Sequence, residues 1–197
     1  MNYPEFFDKV PTIKLKDELA EFLGSANDGI VEFSYLDVVK SAGHSCPTVA
    51  GAYIMCLVGL KELYKDELPV RGEILIEFAE DENEGVAGVI ANVMSQITGA
   101  TKTLGFKGIA GEYIRHSLVE FNADIDSSVK FTRNDTNDSV ELVYNPNTVQ
   151  PNPTQPELMQ KLLKNFATDE EAKEFKKLWQ GRVEKIFESI DKVIEVK

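Results

Sequence analysis

The chain has 197 residues, enough for one well-buried core and short for two full domains. Hydrophobic residues make up 43% of it and charged residues 27%, the mix of a globular protein and not of a disordered or fibrous one. A formal net charge of -12 repels phosphate backbones and anionic lipid, so neither nucleic-acid nor membrane partners are expected.

No apolar run approaches the ~18 residues of a membrane-spanning helix. The longest, 49–60, is interrupted by glycines and followed by Lys61 and Glu62, and reads as a core helix. The opening stretch MNYPEFFDKV lacks a basic region leading into an apolar block, which predicts no secretory leader. Cys46 and Cys56 fall in one expected helix. At ~1.5 Å rise per residue they stand about 15 Å apart, too far to form a disulfide with each other. Together these features predict a reducing, cytoplasmic setting.

In chain order, a short arm leads to an amphipathic helix carrying Leu15, Leu19, Phe22 and Leu23, stopped by Gly24. Asn27-Asp28-Gly29 is a turn, Ile30, Val31 and Phe33 form a short strand, and 35–40 forms one or two helical turns. After the loose Ser41-Ala42-Gly43 comes His44-Ser45-Cys46-Pro47. Proline suits the first position of a helix, and the run TVAGAYIMCLVGLKELY is apolar on almost every face, so that helix is expected to be buried all round.

A strand is expected within 68–78, then an acidic turn (Glu80, Asp81, Glu82, Glu84), then a helix over 85–98 rich in small residues and ended by Gly99. Strands are expected over 113–121, 128–133 and 140–144, with a hairpin turn at 134–138. Residues 146–156 carry Pro146, Pro151, Pro153 and Pro156 and read as an extended linker. Thr168 with Glu171 has the form of a capping box. The apolar stripe Phe175, Leu178, Trp179, Val183, Ile186, Phe187, Ile190, Val193 must be buried on the parent core or on a second subunit. The expected organisation is an α+β domain over 1–145 with a mixed β-sheet packed against helices, a linker over 146–156 and a helical extension over 157–197.

Of the two histidines, His44 stands two residues from one of the two cysteines. His-x-Cys ahead of a helix puts imidazole and thiolate on one turn, donors that suit zinc or iron. The free N–H groups of a helix N-terminus favour a thiolate at Cys46, as ligand or as nucleophile. The ordinary alternative for Cys46 is a small buried apolar residue. Cys56, mid-helix among apolar residues, reads as core. Tyr53, two turns below Cys46, is a candidate pocket-lining residue. His116 is a satisfied core histidine or a third ligand, and strand alternation places it on the face of Ile114 and Leu118, opposite Arg115. The acidic turn reads as solvated surface, or as the source of a carboxylate ligand or base. No phosphate-binding glycine loop, dinucleotide glycine pattern or nucleophile elbow is present.

Gly43-His44-Ser45-Cys46-Pro47 followed by Gly51 resembles the opening motif of the FmdE family, named for its link to formylmethanofuran dehydrogenase: Gly-His-x-Cys-Pro and then a helix with a glycine. Gln96-Ile97-Thr98-Gly99-Ala100-Thr101 is similar to the family's Gln-x-Leu-Thr-Gly-Cys-Thr. The resemblance runs over residues 35–133. It implies an α+β fold with a mixed sheet, metal binding at His44 and Cys46, and a homodimer. The chain departs from the family pattern in four places. Ala100 replaces the cysteine of Gly-Cys-Thr, residues 85–95 lack a further family cysteine, Thr48 replaces the glycine after Cys-Pro, and no zinc-ribbon cysteines follow. At least one thiolate ligand is therefore lost, and a metal at this site needs other ligands, a partner subunit or a bound small molecule.

These residues carry several expectations. The first is a metal- or cofactor-binding module using zinc or iron. The second is haem or tetrapyrrole binding through Cys46-Pro47 and a histidine. The third is a metal-dependent enzyme with Glu80 or Glu82 as base. The fourth is a dimeric interaction module with a degenerate site. The only tryptophan, Trp179, lies in the tail, where its emission is expected to report docking of that helix and not events at Cys46.

Overall fold

The computed structural model describes residues 2–197. The fold is α+β, as expected, and is organised around one buried helix. That helix, α3 (Pro47–Tyr64), buries Val49–Cys56 without a break and then Gly59, Leu60, Leu63 and Tyr64. Each fully buried Val, Ile or Met side chain contributes roughly 1.5–3 kcal/mol of transfer free energy.

On one side α3 meets a five-stranded mixed sheet of β3 (Ile74–Glu77), β4 (Val119–Glu120), β5 (Val129–Arg133), β6 (Ser139–Tyr144) and β7 (Ile194–Val196). The order is β4-β3-β5-β6-β7, with β3 and β4 parallel and the other pairs antiparallel. The helix lies so close to the sheet that a Cβ at Gly59 would come 2.7 Å from the Phe131 ring. Elsewhere α3 packs on α2 (Tyr35–Ala42), α4 (Ala87–Thr98) and α6 (Asp169–Glu188). α4 ends on Gly99 at φ +75°, as its sequence requires. α6 starts at the expected capping box, in which Glu171 N–H donates to Thr168 Oγ1 and Thr168 N–H to the Glu171 carboxylate. Its Val183 and Ile186 are fully buried, so the later part of the tail's apolar stripe is covered by the chain's own core, while Phe175, Leu178 and Trp179 are half-buried.

Three local expectations are corrected. Leu15 lies in a strand, β1 (Ile13–Lys16), paired antiparallel with β2 (Ile30–Phe33). Only α1 (Glu18–Phe22), capped by Asp17, is helical there, and Phe22 and Leu23 point outward. Strand pairing of four residues prevails over an apolar spacing that would also suit a helix. The strand expected over 68–78 shortens to β3, because Gly72 turns the chain at φ +90°. The strand expected over 113–121 shortens to β4, because Tyr113 and Ser117 adopt φ +61° and +59°. Strand alternation consequently fails at 113–118, and Arg115 is turned inward.

Residues 146–156 hold a 3-10 turn at Pro146–Thr148 and the first residues of α5 (Gln155–Leu163). Arg182 of α6 donates to the carbonyls of Val149 and Pro146 (2.8 and 3.2 Å), pinning this stretch to the tail. The chain then passes through α7 (Ile190–Val193) into β7, beside β6.

Candidate functional site

The His44–Cys46 turn sits where α2 ends and α3 begins. Gly43 closes α2 in the left-handed region at φ +77° and turns the chain. Cys46 is the N-cap of α3. Its extended backbone lets Sγ accept the Val49 N–H at 3.4 Å, while its carbonyl accepts Ala50 N–H at 2.9 Å. A sulfur at this position takes the place of the oxygen that usually caps a helix. Cys46 is half-buried and His44 is exposed. The His44 Nδ1 lies 3.0 Å from the Ala42 carbonyl, which fixes the tautomer with a proton on Nδ1 and leaves the Nε2 lone pair free for a ligand.

Ser45, between them, is held from three directions. Its Oγ pairs with Tyr35 OH at 2.9 Å, and its carbonyl accepts Trp179 Nε1–H at 3.0 Å and Gln180 Nε2–H at 3.2 Å. Tyr35 belongs to an aromatic cluster with Phe7, Tyr53 and Phe187. Burial pushes the Tyr35 and Tyr144 phenols well above their ordinary range, so both stay protonated near Cys46. The α6 clamp on Ser45 was invisible in the sequence because 134 positions separate Trp179 from Ser45. It also corrects the expectation for Trp179, whose indole touches the residue next to Cys46.

The residues flanking Cys46 open onto two hollows. Thr48 lines a cavity of about 330 Å³ with Tyr144, Glu80, Asp126 and the apolar Met55 and Phe78. Ser45 lines a groove of about 410 Å³ with Tyr3, Phe7, Phe175 and Trp179. Within the acidic turn, Glu80 thus faces a cavity at the first turn of α3, Glu82 pairs with Lys102 at 2.7 Å, and Asp81 accepts from Asn83 and Asn122.

The other two candidates take their hydrogen bonds outside the turn. Tyr53 is fully buried, its OH 2.7 Å from the Pro11 carbonyl and 2.9 Å from that of Phe33. His116 sits on the 113–118 loop with Nδ1 3.0 Å from Ser117 Oγ. Among the described residues, no three His, Cys, Asp or Glu side chains converge as a metal-binding group. His44 and Cys46 therefore fit a borderline-soft metal by donor chemistry, but as a pair and not as a closed set.

The residue pair and the helix after it agree with a wider match. The model of the family described as "FmdE, Molybdenum formylmethanofuran dehydrogenase operon" matches residues 42–194. The chain belongs to the FmdE family. The match begins just ahead of His44 and runs through β3 to β6 and α6 to the first residue of β7, so the α6 residues that clamp Ser45 lie inside the FmdE region. Comparison with curated proteins gives no match. No helix among the described residues is long and apolar enough to cross a membrane.

Sequence reasoning also missed a buried ionic cluster. Asp17, 4% exposed, accepts Arg71 Nη1 at 2.9 Å and Arg115 Nη2 at 2.8 Å, as well as Ala20 N–H at 2.9 Å. Arg71 also donates to the carbonyls of Ile97 and Gln96 at the end of α4, both at 2.9 Å. The cluster ties α1, α4 and the 113–118 loop together. No motif announces it, since its three members are far apart in sequence.

Proposed function

We propose that this FmdE-family chain binds a transition metal, zinc before iron, through His44 Nε2 and Cys46 Sγ, with its remaining ligands supplied from outside the chain. The observation that carries this reading is the preparation of two donors on a rigid turn. Cys46 is fixed as a helix N-cap, His44 has its Nδ1 committed to Ala42, and Ser45 between them is clamped by Tyr35, Trp179 and Gln180. A rigid pair without a third ligand is an open site.

The missing ligands come from a second copy of the chain, giving a homodimer, or from a small molecule lodged in the cavity beside Thr48. A bound metal would polarise such a molecule as a Lewis acid, and Glu80, which lines that cavity with Thr48, would hold or move a proton.

Elemental analysis and an absorbance spectrum of the untagged protein, beside His44→Ala and Cys46→Ser and with solution mass measured in parallel, test the reading. Metal that falls in both variants supports it, and a mass that halves when metal is removed identifies the second copy as the source. A Soret band would assign the pair to a tetrapyrrole. A folded protein that neither carries nor takes up metal or haem leaves an interaction module with a degenerate site.

A further inference from the structure

A cavity of about 490 Å³ lies between α1, the end of α4 and the 101–115 segment. It shares no lining residue with the two hollows at the His44–Cys46 turn. Leu19, Leu23, Val31 and Phe106 make its wall largely apolar, Ser25, Ser95 and Thr101 add hydroxyls, and Arg71, Arg115 and Asp17 bring two guanidinium groups and one carboxylate to it.

The two arginines differ in how their donors are used. Arg71 commits Nε and Nη2 to the carbonyls of Ile97 and Gln96 and Nη1 to Asp17. Arg115 commits only Nη2, to Asp17 Oδ1, and that oxygen already accepts Ala20 N–H. Its Nε and Nη1 are buried with no hydrogen-bond partner, and the residue is 6% exposed. Gly99 lines the same cavity, and a Cβ there would stand 2.3 Å from Arg115 Nη1, so the guanidinium packs directly on the Gly99 backbone at the cavity's edge. Two buried guanidinium nitrogens with unassigned protons, at a mainly apolar cavity where the charges of Arg71 and Arg115 outnumber that of Asp17, match a ligand with a carboxylate at one end and a hydrocarbon body.

We propose that this cavity binds a small organic carboxylate, its charge facing the Arg115 guanidinium and its hydrocarbon body lying against Leu23 and Phe106. Titration of the ¹⁵N-labelled full chain with sodium hexanoate and sodium benzoate tests this, with hexanamide and benzamide as neutral controls. The Arg115 Nε–H and the amides of Gly99, Thr101 and Phe106 should shift saturably with a Kd of about 1 mM or tighter. The neutral controls should bind at least about tenfold more weakly, the loss expected when a charge-assisted hydrogen bond becomes a neutral one. Ser95→Phe fills the cavity while leaving Asp17, Arg71 and Arg115 in place, and should abolish the shifts. Leu23→Asp, at an exposed position on the rim, should weaken binding by charge repulsion without touching the core. A flat titration with both acids, equal binding of acid and amide, or binding unchanged in Leu23→Asp overturns the proposal.

Discussion

Tyr144 of β6 lies across α3 at Gly51. A Cβ on Gly51 would stand 2.2 Å from Tyr144 Cε1, and the phenol donates to the Pro47 carbonyl at 2.7 Å. The glycine of the FmdE opening motif thus has a packing reason in this chain: it admits the ring that fastens the first turn of α3, next to Cys46, to the sheet. Gly51→Ala should destabilise the protein by about 1–3 kcal/mol through overpacking. In a Tyr144→Ala background the same change should become neutral or stabilising, because alanine is favoured over glycine in a helix by up to ~1 kcal/mol. Urea melts of the four proteins in the cycle decide it, and an equal cost in both backgrounds would remove the ring from the explanation.

The two thiols should separate cleanly by reactivity. Cys56 is fully buried in α3, and burial pushes its thiol far above the ordinary range. Cys46 is half-buried at the helix cap. A thiol-reactive reagent at mildly alkaline pH should modify the native chain once, at Cys46, and should reach Cys56 only on unfolding. Mass mapping of the label checks this. Rapid native labelling of Cys56 would mean that α3 opens locally.

The α3 helix was legible because it is apolar on every face, and α4, the β5–β6 hairpin and the α6 cap were legible because Gly99, the 134–138 turn and Thr168 with Glu171 mark their limits. β2 was legible at Ile30, Val31 and Phe33, but its partner β1 was not, since four-residue strands gain their stability from each other and leave only a weak local signature. His44 and Cys46 were legible through a motif, and Ala100 as a departure from the family's Gly-Cys-Thr. Arg115 was misread because alternation holds only where the backbone is extended, and positive φ at Tyr113 and Ser117 breaks it. The hold of α6 on Ser45 is purely tertiary, and no local pattern encodes a contact between residues so far apart.

Trp179 should act as a reporter of the His44–Cys46 turn. Its indole N–H donates to the Ser45 carbonyl, which Gln180 also reaches. Alkylation of Cys46 should therefore change Trp179 emission, with no response in Cys46→Ser. Trp179→Phe removes one of the two donors at a cost of about 0.5–1.5 kcal/mol, and should speed labelling of Cys46 by loosening the turn. Unchanged emission on alkylation would mean that the turn tolerates the adduct without moving the helix.

Asp17 should govern stability toward acid. Burial alone would raise its carboxyl, but hydrogen bonds from Arg71, the Ala20 N–H and Arg115, with the Arg115 charge, outweigh that and hold it below the ordinary carboxylate range. A carboxyl lowered in the folded state adds stability that is fully present well above its unfolded value of about 3.9, and that is lost as pH falls toward the folded value. Asp17→Asn keeps a capping oxygen for Ala20 N–H but leaves two guanidinium groups without their shared anion. It should cost about 3–5 kcal/mol at neutral pH, the usual penalty for removing one partner of a buried ion pair. The gap between wild type and variant should narrow as pH drops below about 4. Urea melts at pH 7 and pH 3 measure it. A gap that stays constant across that range would assign the loss to packing and leave the charge on Asp17 without a role in holding α1, α4 and the 113–118 loop together.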